Sequence, residues 1–212
     1  MSTPVIEVAD LRTHIVTRWG TIKAVDGVSF AVGEGETLGL VGESGSGKSM
    51  TCLSVLRLVP RPAARIVGGR VLLDGDDLLQ KSEREMQRIR GRRVAMILQD
   101  PMSSLNPVFS VGMQVREPLV SYHGLAGRAL KDRAVQLLGS VGISSPATRL
   151  RAFPHQLSGG MRQRVVGAMA ISGPPRLLIA DEPTTSLDLT IQAQYLRLLK
   201  ELQARHRLAM IF

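Results

Sequence analysis

The sequence predicts an α/β fold in which strands buried on both faces alternate with helices. Three short, continuous apolar runs support this class, because strands covered on both sides of a sheet have this composition: residues 37–41, 94–98 and 177–180. A polar, conformationally special segment follows each run. The carboxyl ends of such strands meet at one edge of an open α/β sheet, where ligands bind. We therefore expect the functional residues at that edge.

The composition excludes several other classes of protein. A chain of 212 residues can bury a hydrophobic core without a stabilising disulfide or metal ion. Its 44% hydrophobic and 21% charged residues are ordinary for a globular protein. The single cysteine, Cys52, excludes a disulfide framework and is interpreted as a small core residue. No apolar stretch approaches the ~20 residues that cross a bilayer, and the N-terminal segment lacks the apolar core of a secretory signal. We expect a soluble, cytosolic chain.

The net charge of +9 admits a nucleic-acid partner but does not favour one. The basic residues are scattered, and an aromatic content of 3% leaves few platforms on which bases could stack. A solvated basic surface is the simpler interpretation. An anionic membrane surface and an acidic partner are the alternatives.

The first third of the chain predicts strands and a hairpin. Short apolar runs at residues 5–8 and 28–32 read as strands, and the second ends in a turn at residues 33–36. Residues 71–73 are followed by Asp74 and Gly75, which is a hairpin signal.

Helical patterns replace the strands between Pro101 and Pro154. Glycine and proline divide this region into short helices, and one apolar face at helical spacing comprises Leu130, Ala134, Leu137, Leu138 and Val141. We interpret residues 101–171 as a helical subdomain inserted into the sheet domain. A later helix is predicted to be capped by Asp188, with an apolar face of Ile191, Tyr195, Leu198, Leu199 and Leu202.

One segment matches the phosphate-loop pattern G-x-x-x-x-G-K-[ST] in full: Gly42, Glu43, Ser44, Gly45, Ser46, Gly47, Lys48 and Ser49. It follows a predicted strand and opens a predicted helix that contains Met50 and runs to about Leu58. The glycines let successive backbone N–H groups turn towards a phosphate, and the helix N-terminus adds positive charge. Lys48 supplies a full charge to the outer phosphates, and the Ser49 hydroxyl can bind Mg²⁺.

A second candidate site lies at the end of the strand over residues 177–180. Asp181 and Glu182 follow directly, and a carboxylate there is costly without a cation or a donor. Asp181 is predicted to hold Mg²⁺, and Glu182 is predicted to polarise an attacking water. Solvated acids at a strand end are the alternative, which the upstream phosphate loop disfavours.

The segment Leu157-Ser158-Gly159-Gly160-Met161 identifies a family. Its position between a phosphate loop and the acidic strand end resembles the LSGG signature of the ATP-binding cassette (ABC) ATPases. The segment opens a predicted helix that continues to Ile171, and its hydroxyl and free N–H groups can bind an anion.

Three further residues fit the same resemblance. Gln99 matches the Q-loop glutamine, which implies a role in catalysis and in holding the metal. Asp188 closes a match to the D-loop at residues 186–188, which implies contact with the nucleotide. Trp19 lies where these ATPases carry an aromatic that stacks on adenine, and the alternative is a core tryptophan.

The resemblance implies a P-loop NTPase core, a mixed sheet flanked by helices, with an antiparallel β subdomain and an inserted helical signature subdomain. The core and β subdomain would comprise residues 1–100 and 172–212, within a single ATPase domain over residues 1–212. ATP and Mg²⁺ are the implied ligands. Two cassettes close on two ATP molecules in this family. Ser158, Gly159, Gly160 and Met161 would therefore contact the γ-phosphate bound by a second subunit.

A narrower resemblance connects the chain with the dipeptide, oligopeptide and nickel importers, and four segments carry it: residues 41–49, 99–107, 157–164 and 180–188. It implies a peripheral subunit on the cytoplasmic face of the membrane, beneath two integral membrane subunits and served indirectly by a solute-binding protein. No nucleic-acid partner is implied. The alternatives are a soluble ABC ATPase that acts on nucleic acid or ribosomes, and a non-catalytic nucleotide-binding fragment.

The family places a switch histidine after the strand that follows the D-loop helix. Here residues 208–212 begin that strand and end the sequence, and His206 precedes it and reads as a solvated helix end. The sequence therefore predicts a domain truncated before the switch histidine, which binds ATP and hydrolyses it poorly.

Overall fold

The computed structural model describes residues 4–99, 104–185 and 188–212. Residues 100–103 of the predicted importer motif, and Ser186 and Leu187 of the predicted D-loop, lie outside this description. The strands are β1 (Ile6–Thr17), β2 (Gly20–Val32), β3 (Thr37–Leu38), β4 (Ala64–Leu73), β5 (Asp76–Asp77), β6 (Val94–Ile97), β7 (Leu177–Ala180) and β8 (Ala209–Ile211). The helices are α1 (Lys48–Val55), α2 (Glu83–Ile89), α3 (Val111–His123), α4 (Gly127–Ser140), α5 (Pro146–Arg149), α6 (Gly159–Ile171) and α7 (Leu189–His206).

An antiparallel sheet with the strand order β2-β1-β4-β5 forms one layer. Val8 of β1 lies opposite Phe30 on one side and Val71 on the other, which confirms the three strands predicted in this region. The strands β1 and β2 are longer than predicted. The prediction stopped short because polar residues such as Asp10 and Arg12 interrupt the apolar pattern, and the register of the pairing shifts after Val8. The predicted hairpin is confirmed, since Leu73 pairs with Asp76.

A parallel sheet with the order β3-β8-β7-β6 forms the centre of the molecule. Alternate side chains of its strands enter two different hydrophobic cores, as the two-residue period of a strand requires. Leu177 and Ile179 of β7 join the core shared with the antiparallel sheet and α1. Leu178, between them, joins the core shared with the helical layer.

The predicted buried strand over residues 37–41 is wrong in its length and burial. The strand β3 covers only Thr37–Leu38, and Val41 is 96% exposed. The physical reason is that β3 is the edge strand of its sheet and that the chain leaves it to form the phosphate loop. The helix α1 also ends earlier than Leu58, because Arg57 adopts a left-handed conformation with φ of 55°.

The helices α3 to α6 pack into one layer on the far side of the parallel sheet. The apolar face predicted for α4 is confirmed, since Ala134, Leu137 and Leu138 are buried and Leu130 packs against them. The predicted helix after Ser158 is confirmed over Gly159–Ile171.

The helix α7 begins and packs as the sequence predicts. Asp188 accepts hydrogen bonds from the backbone N–H groups of Thr190 and Ile191. The buried residues of the helix include Tyr195 and Leu202. His206 is the exposed last residue of this helix. Over residues 4–99, 104–185 and 188–212, no helix is both long enough and apolar enough to cross a membrane.

Candidate functional site

The phosphate-loop segment is an exposed loop whose shape requires glycine. Gly47 is the N-cap of α1 with φ of 93°, and a Cβ there would lie 2.3 Å from the carbonyl oxygen of Ala24 in β2. Gly45 has φ of 81°. A Cβ on Gly42 would lie 2.5 Å from the Oγ of Ser46. The backbone thus forms a cradle that side chains would fill, which fits a bound phosphate.

The Lys48 ammonium lies over this cradle. Its Nζ donates hydrogen bonds to the carbonyl oxygens of Gly42, at 2.7 Å, and Glu43, at 2.8 Å. Lys48 also lines a cleft of about 200 Å³ together with Asp181 and Glu182. Because both acceptors are neutral, the positive charge stays available to a phosphate that replaces them.

Ser49 and Asp181 are in contact although they lie far apart in the chain. The Ser49 hydroxyl donates a hydrogen bond of 3.0 Å to Oδ1 of Asp181, which is buried at the end of β7. The Asp181 N–H donates to the carbonyl of Ile97 in β6, so the sheet fixes this carboxylate. The structure therefore brings together two of the three predicted metal ligands, an alcohol and a carboxylate oxygen of the kind that Mg²⁺ takes.

Glu182 is held by two polar neighbours. Gln99 donates through Nε2 to its Oε2 at 2.8 Å, and the Thr185 hydroxyl lies 3.3 Å from the same oxygen. Glu182 has φ of 45°, a strained conformation for a residue with a side chain. Thr185 was missed in the sequence, where the only signal is its place in the polar segment after β7.

Gln99 is the third predicted metal ligand. Its amide nitrogen donates to Glu182. The amide oxygen is the side-chain atom that remains suited to binding a cation. Its metal-binding role and its catalytic role stay predictions. Met50, the other residue named for the loop, packs its side chain against the core. Only its backbone N–H, in the first turn of α1, could face a phosphate.

The signature segment forms the N-terminus of α6. The Ser158 hydroxyl accepts a hydrogen bond from the N–H of Met161, and Gly159 is the first helical residue. A Cβ on Gly160 would lie 2.7 Å from Cγ2 of Ile191, so Gly160 permits close packing on α7. Among the described residues, no hydrogen bond of this segment reaches the phosphate loop. Its contact with a nucleotide of a second subunit stays a prediction.

Asp188 and Trp19 have local roles that the structure shows directly. The Asp188 carboxylate caps α7. Its contact with the nucleotide stays a prediction. Trp19 lies in the turn between β1 and β2 with 81% of its surface exposed, so the alternative of a core tryptophan is wrong. The Arg18 guanidinium lies 3.8 Å from the centre of its ring. Stacking on adenine stays a prediction.

A buried glutamine that sequence reasoning missed connects the signature helix with the acidic strand end. Gln163 of α6 is fully buried, and its amide nitrogen donates to the carbonyl of Pro183, next to Glu182. One signal could have found it: Gln163 lies at helical spacing from Val166 and Ile171, on the same face of the helix.

Cys52 lies in the core, as predicted. It is buried in α1 and lines the same cleft as Lys48 and Asp181. Burial, followed by the negative charge of Asp181, raises the pKa of the Cys52 thiol to about 12. The thiol is therefore protonated and a poor nucleophile at neutral pH.

Comparisons with known proteins identify the family of this chain. A family model described as ABC transporter matches residues 25–185. The oligopeptide transport ATP-binding protein OppD of Bacillus subtilis (strain 168) is 50% identical over 210 residues, which are 99% of this chain and 59% of that protein. The dipeptide transport ATP-binding protein DppD of the same organism is 47% identical over 207 residues, 98% of this chain and 62% of that protein.

A solved structure shows the same fold. It is the dimeric ATP-binding cassette MJ0796 in a post-hydrolysis state bound to ADP and Pi, with a TM-score of 0.83 and 25% identity. The superposition covers 97% of this chain and 86% of that one. This chain spans about three fifths of the length of the two curated relatives. The family model covers most of the chain and the relatives are about half identical to it, so this chain belongs to the ABC transporter family.

Proposed function

We propose that this chain is the ATP-binding and ATP-hydrolysing subunit of an importer for dipeptides or oligopeptides. The observation that carries the proposal is the 3.0 Å hydrogen bond between Ser49 and Asp181, which joins the phosphate loop to the acidic strand end. The names of the two Bacillus relatives, oligopeptide and dipeptide transport ATP-binding proteins, support peptides as the substrate class. The cassette bound to ADP and Pi supports hydrolysis.

The residues at the cleft fit ATP with Mg²⁺. The backbone of the phosphate loop would bind the phosphates, and Lys48 would exchange the carbonyls of Gly42 and Glu43 for phosphate oxygens. Ser49, Asp181 and Gln99 would hold Mg²⁺, which supplies charge neutralisation at the phosphates. Trp19, exposed on its turn, would stack on the adenine.

Glu182 would accept a proton from the attacking water. The donors Gln99 and Thr185 both contact its Oε2, which orients the carboxylate. Its other oxygen accepts no hydrogen bond from the described residues and is therefore the atom left for the water. Gln99 thus couples the end of β6 to the position of the proposed base.

A second cassette would complete the site. The signature segment of Ser158, Gly159, Gly160 and Met161 presents a hydroxyl and a helix N-terminus, both suited to a phosphate. Since no hydrogen bond of this segment reaches the phosphate loop within the described part of the chain, the partner's nucleotide is its proposed ligand. ATP would then stabilise the closed dimer, because only that state offers the phosphate both sets of donors.

A membrane partner would dock between the sheet and the helical layer. An apolar groove of about 470 Å³ lies there, lined by Leu98 and Leu58 and by Tyr122 of α3. Leu98 is 49% exposed and directly precedes Gln99. We propose a helix of the integral membrane subunit as the occupant, at the cytoplasmic face of the membrane. Movement of that helix would shift Gln99 and hence Glu182. In this proposal residues 101–171 form the moving subdomain, and residues 1–100 and 172–212 form the core.

The test is nucleotide affinity with matched lysine variants. Lys48→Ala should weaken binding of ATP with Mg²⁺ at least on the order of tenfold, because it removes a charge-assisted contact. Lys200→Ala, on the exposed side of α7, removes an equal charge and should leave affinity unchanged. Equal titration curves for wild type and Lys48→Ala would contradict the proposal. Uptake of a labelled dipeptide by the assembled transporter tests the substrate class.

A further inference from the structure

A second cleft, separate from the phosphate loop, opens on the helical layer. It has a volume of about 650 Å³ and is lined by three cations: Arg116 of α3, Lys131 of α4 and Arg151, which follows α5. The hydroxyl-bearing residues Ser110 and Thr148 also line it, and no acidic residue of the described chain does. Three separate elements thus bring one positive charge each to one concave surface.

Described acidic residues do not neutralise these charges. Within the described residues, none of the three side chains makes a hydrogen bond or an ion pair. The acids adjacent to them in sequence do not line the cleft. Asp132 pairs with Arg128, and Glu117 lines the apolar groove on the other side of α3.

Arg116 adds a second, independent observation. Its Nε is shielded from water and has no hydrogen-bond partner in the described structure. A buried donor left unpaired is unfavourable, and three like charges around one cleft repel one another. An anion in the cleft would relieve the repulsion among the three charges.

The chemistry of the cleft selects the class of anion. Guanidinium groups bind phosphate oxygens through paired hydrogen bonds, and hydroxyls can complete the contacts. The volume lies within the range of small-molecule sites, well above what a single monovalent ion requires. We propose that the cleft formed by Arg116, Lys131 and Arg151 binds a small, multiply charged anion that carries phosphate groups. This inference does not depend on the proposed transport function.

Methionine methyl NMR can test the two sites separately. Met113 lines the cation cleft, whereas Met50 lies in the first turn of the helix after the phosphate loop. The probe is tripolyphosphate, added in excess Mg²⁺ to protein already saturated with a non-hydrolysable ATP analogue. We expect a saturable shift of the Met113 methyl signal, assigned with Met113→Leu, and a shift at Met50 only with the nucleotide. No change at Met113 would overturn the proposal, whatever happens at Met50.

Charge-matched variants then locate the binding. Lys131→Gln and Arg151→Gln should each weaken tripolyphosphate binding on the order of tenfold. Arg133→Gln, on the same helix as Lys131 and outside the cleft, should leave binding unchanged. Equal weakening by Arg133→Gln would show attraction by diffuse surface charge and overturn the proposal. So would a Met113 response confined to anionic vesicles or to an acidic peptide. Melting temperatures of all variants confirm that they are folded.

Discussion

The side-chain amide of Gln99 donates a 2.8 Å hydrogen bond to the carboxylate of Glu182. Gln99 lies two residues after the end of β6, and Glu182 lies two residues after the end of β7. The strands β6 and β7 pair in parallel, with Ile97 opposite Ala180. The hydrogen bond therefore extends the sheet pairing into the candidate site. A change in the path of the chain after β6 would act directly on the orientation of Glu182.

Glu182→Gln should separate hydrolysis from binding. The amide preserves the size of the side chain and removes its capacity to take a proton, so ATP affinity is retained while turnover of the assembled transporter falls on the order of 10²-fold or more. The matched control is Glu201→Gln on the exposed face of α7, where Glu201 pairs with Arg197. Unchanged turnover, or lost ATP affinity, would contradict the role given to Glu182.

Asp181→Asn should remove the effect of Mg²⁺ on ATP affinity. The amide can still accept from Ser49, so the fold is preserved, but the negative charge that attracts a divalent cation is lost. The measurement is the dissociation constant of ATP with Mg²⁺ and with EDTA. Wild type should bind more tightly with Mg²⁺, and Asp181→Asn equally under both conditions. An undiminished Mg²⁺ effect in the variant would exclude Asp181 as a ligand.

Gly47→Ala should destabilise the chain and impair nucleotide binding. Its Cβ would lie 2.3 Å from the backbone of Ala24, in addition to the cost of a left-handed backbone with a side chain. Gly35 has a similar φ of 74° with open space around it, so Gly35→Ala measures the backbone cost alone, about 1–2 kcal/mol. Denaturant unfolding should show the larger loss for Gly47→Ala. Equal losses of unfolding free energy in the two variants would mean that β2 moves away from the new Cβ, and would contradict the prediction.

Stability should decline at alkaline pH because of Cys52. The folded thiol has a pKa of about 12 against 9.0 for its ordinary value, so the unfolded chain loses its proton first. The stabilisation is therefore fully present below about pH 9 and is lost progressively as the pH rises towards 12. Cys52→Ala should flatten this part of the curve of unfolding free energy against pH. A curve identical in slope to that of wild type would contradict the assignment.

The parts of the site that depend on local chemistry could be predicted from the sequence. The Ser158 and Asp188 caps follow from short polar side chains that precede apolar helical patterns. The meeting of Ser49 with Asp181 follows from two strand ends at one edge of a sheet. A few neighbouring residues determine the caps, and the general geometry of a parallel sheet determines the contact, so the pattern is sufficient in both cases.

The remaining features depend on contacts between distant segments. An apolar run cannot show that β3 lies at a sheet edge, so the exposure of Val41 was not predicted. The acceptor of the buried Gln163 is a backbone carbonyl in another segment, which carries no residue-specific signal. The cations Arg116, Lys131 and Arg151 are scattered along the sequence, and only the packing of three helices places them around one cleft.

The alternation of Leu178 and Ile179 between two cores has a mechanical consequence. Because each strand residue belongs to one side only, sliding of the helical layer disturbs every second side chain of β7 and leaves the others packed. Asp181 at the end of this strand can thus keep its place beside Ser49 while the opposite face repacks. We therefore expect the central sheet to keep the contact between Ser49 and Asp181 in place while side chains on its helical face repack.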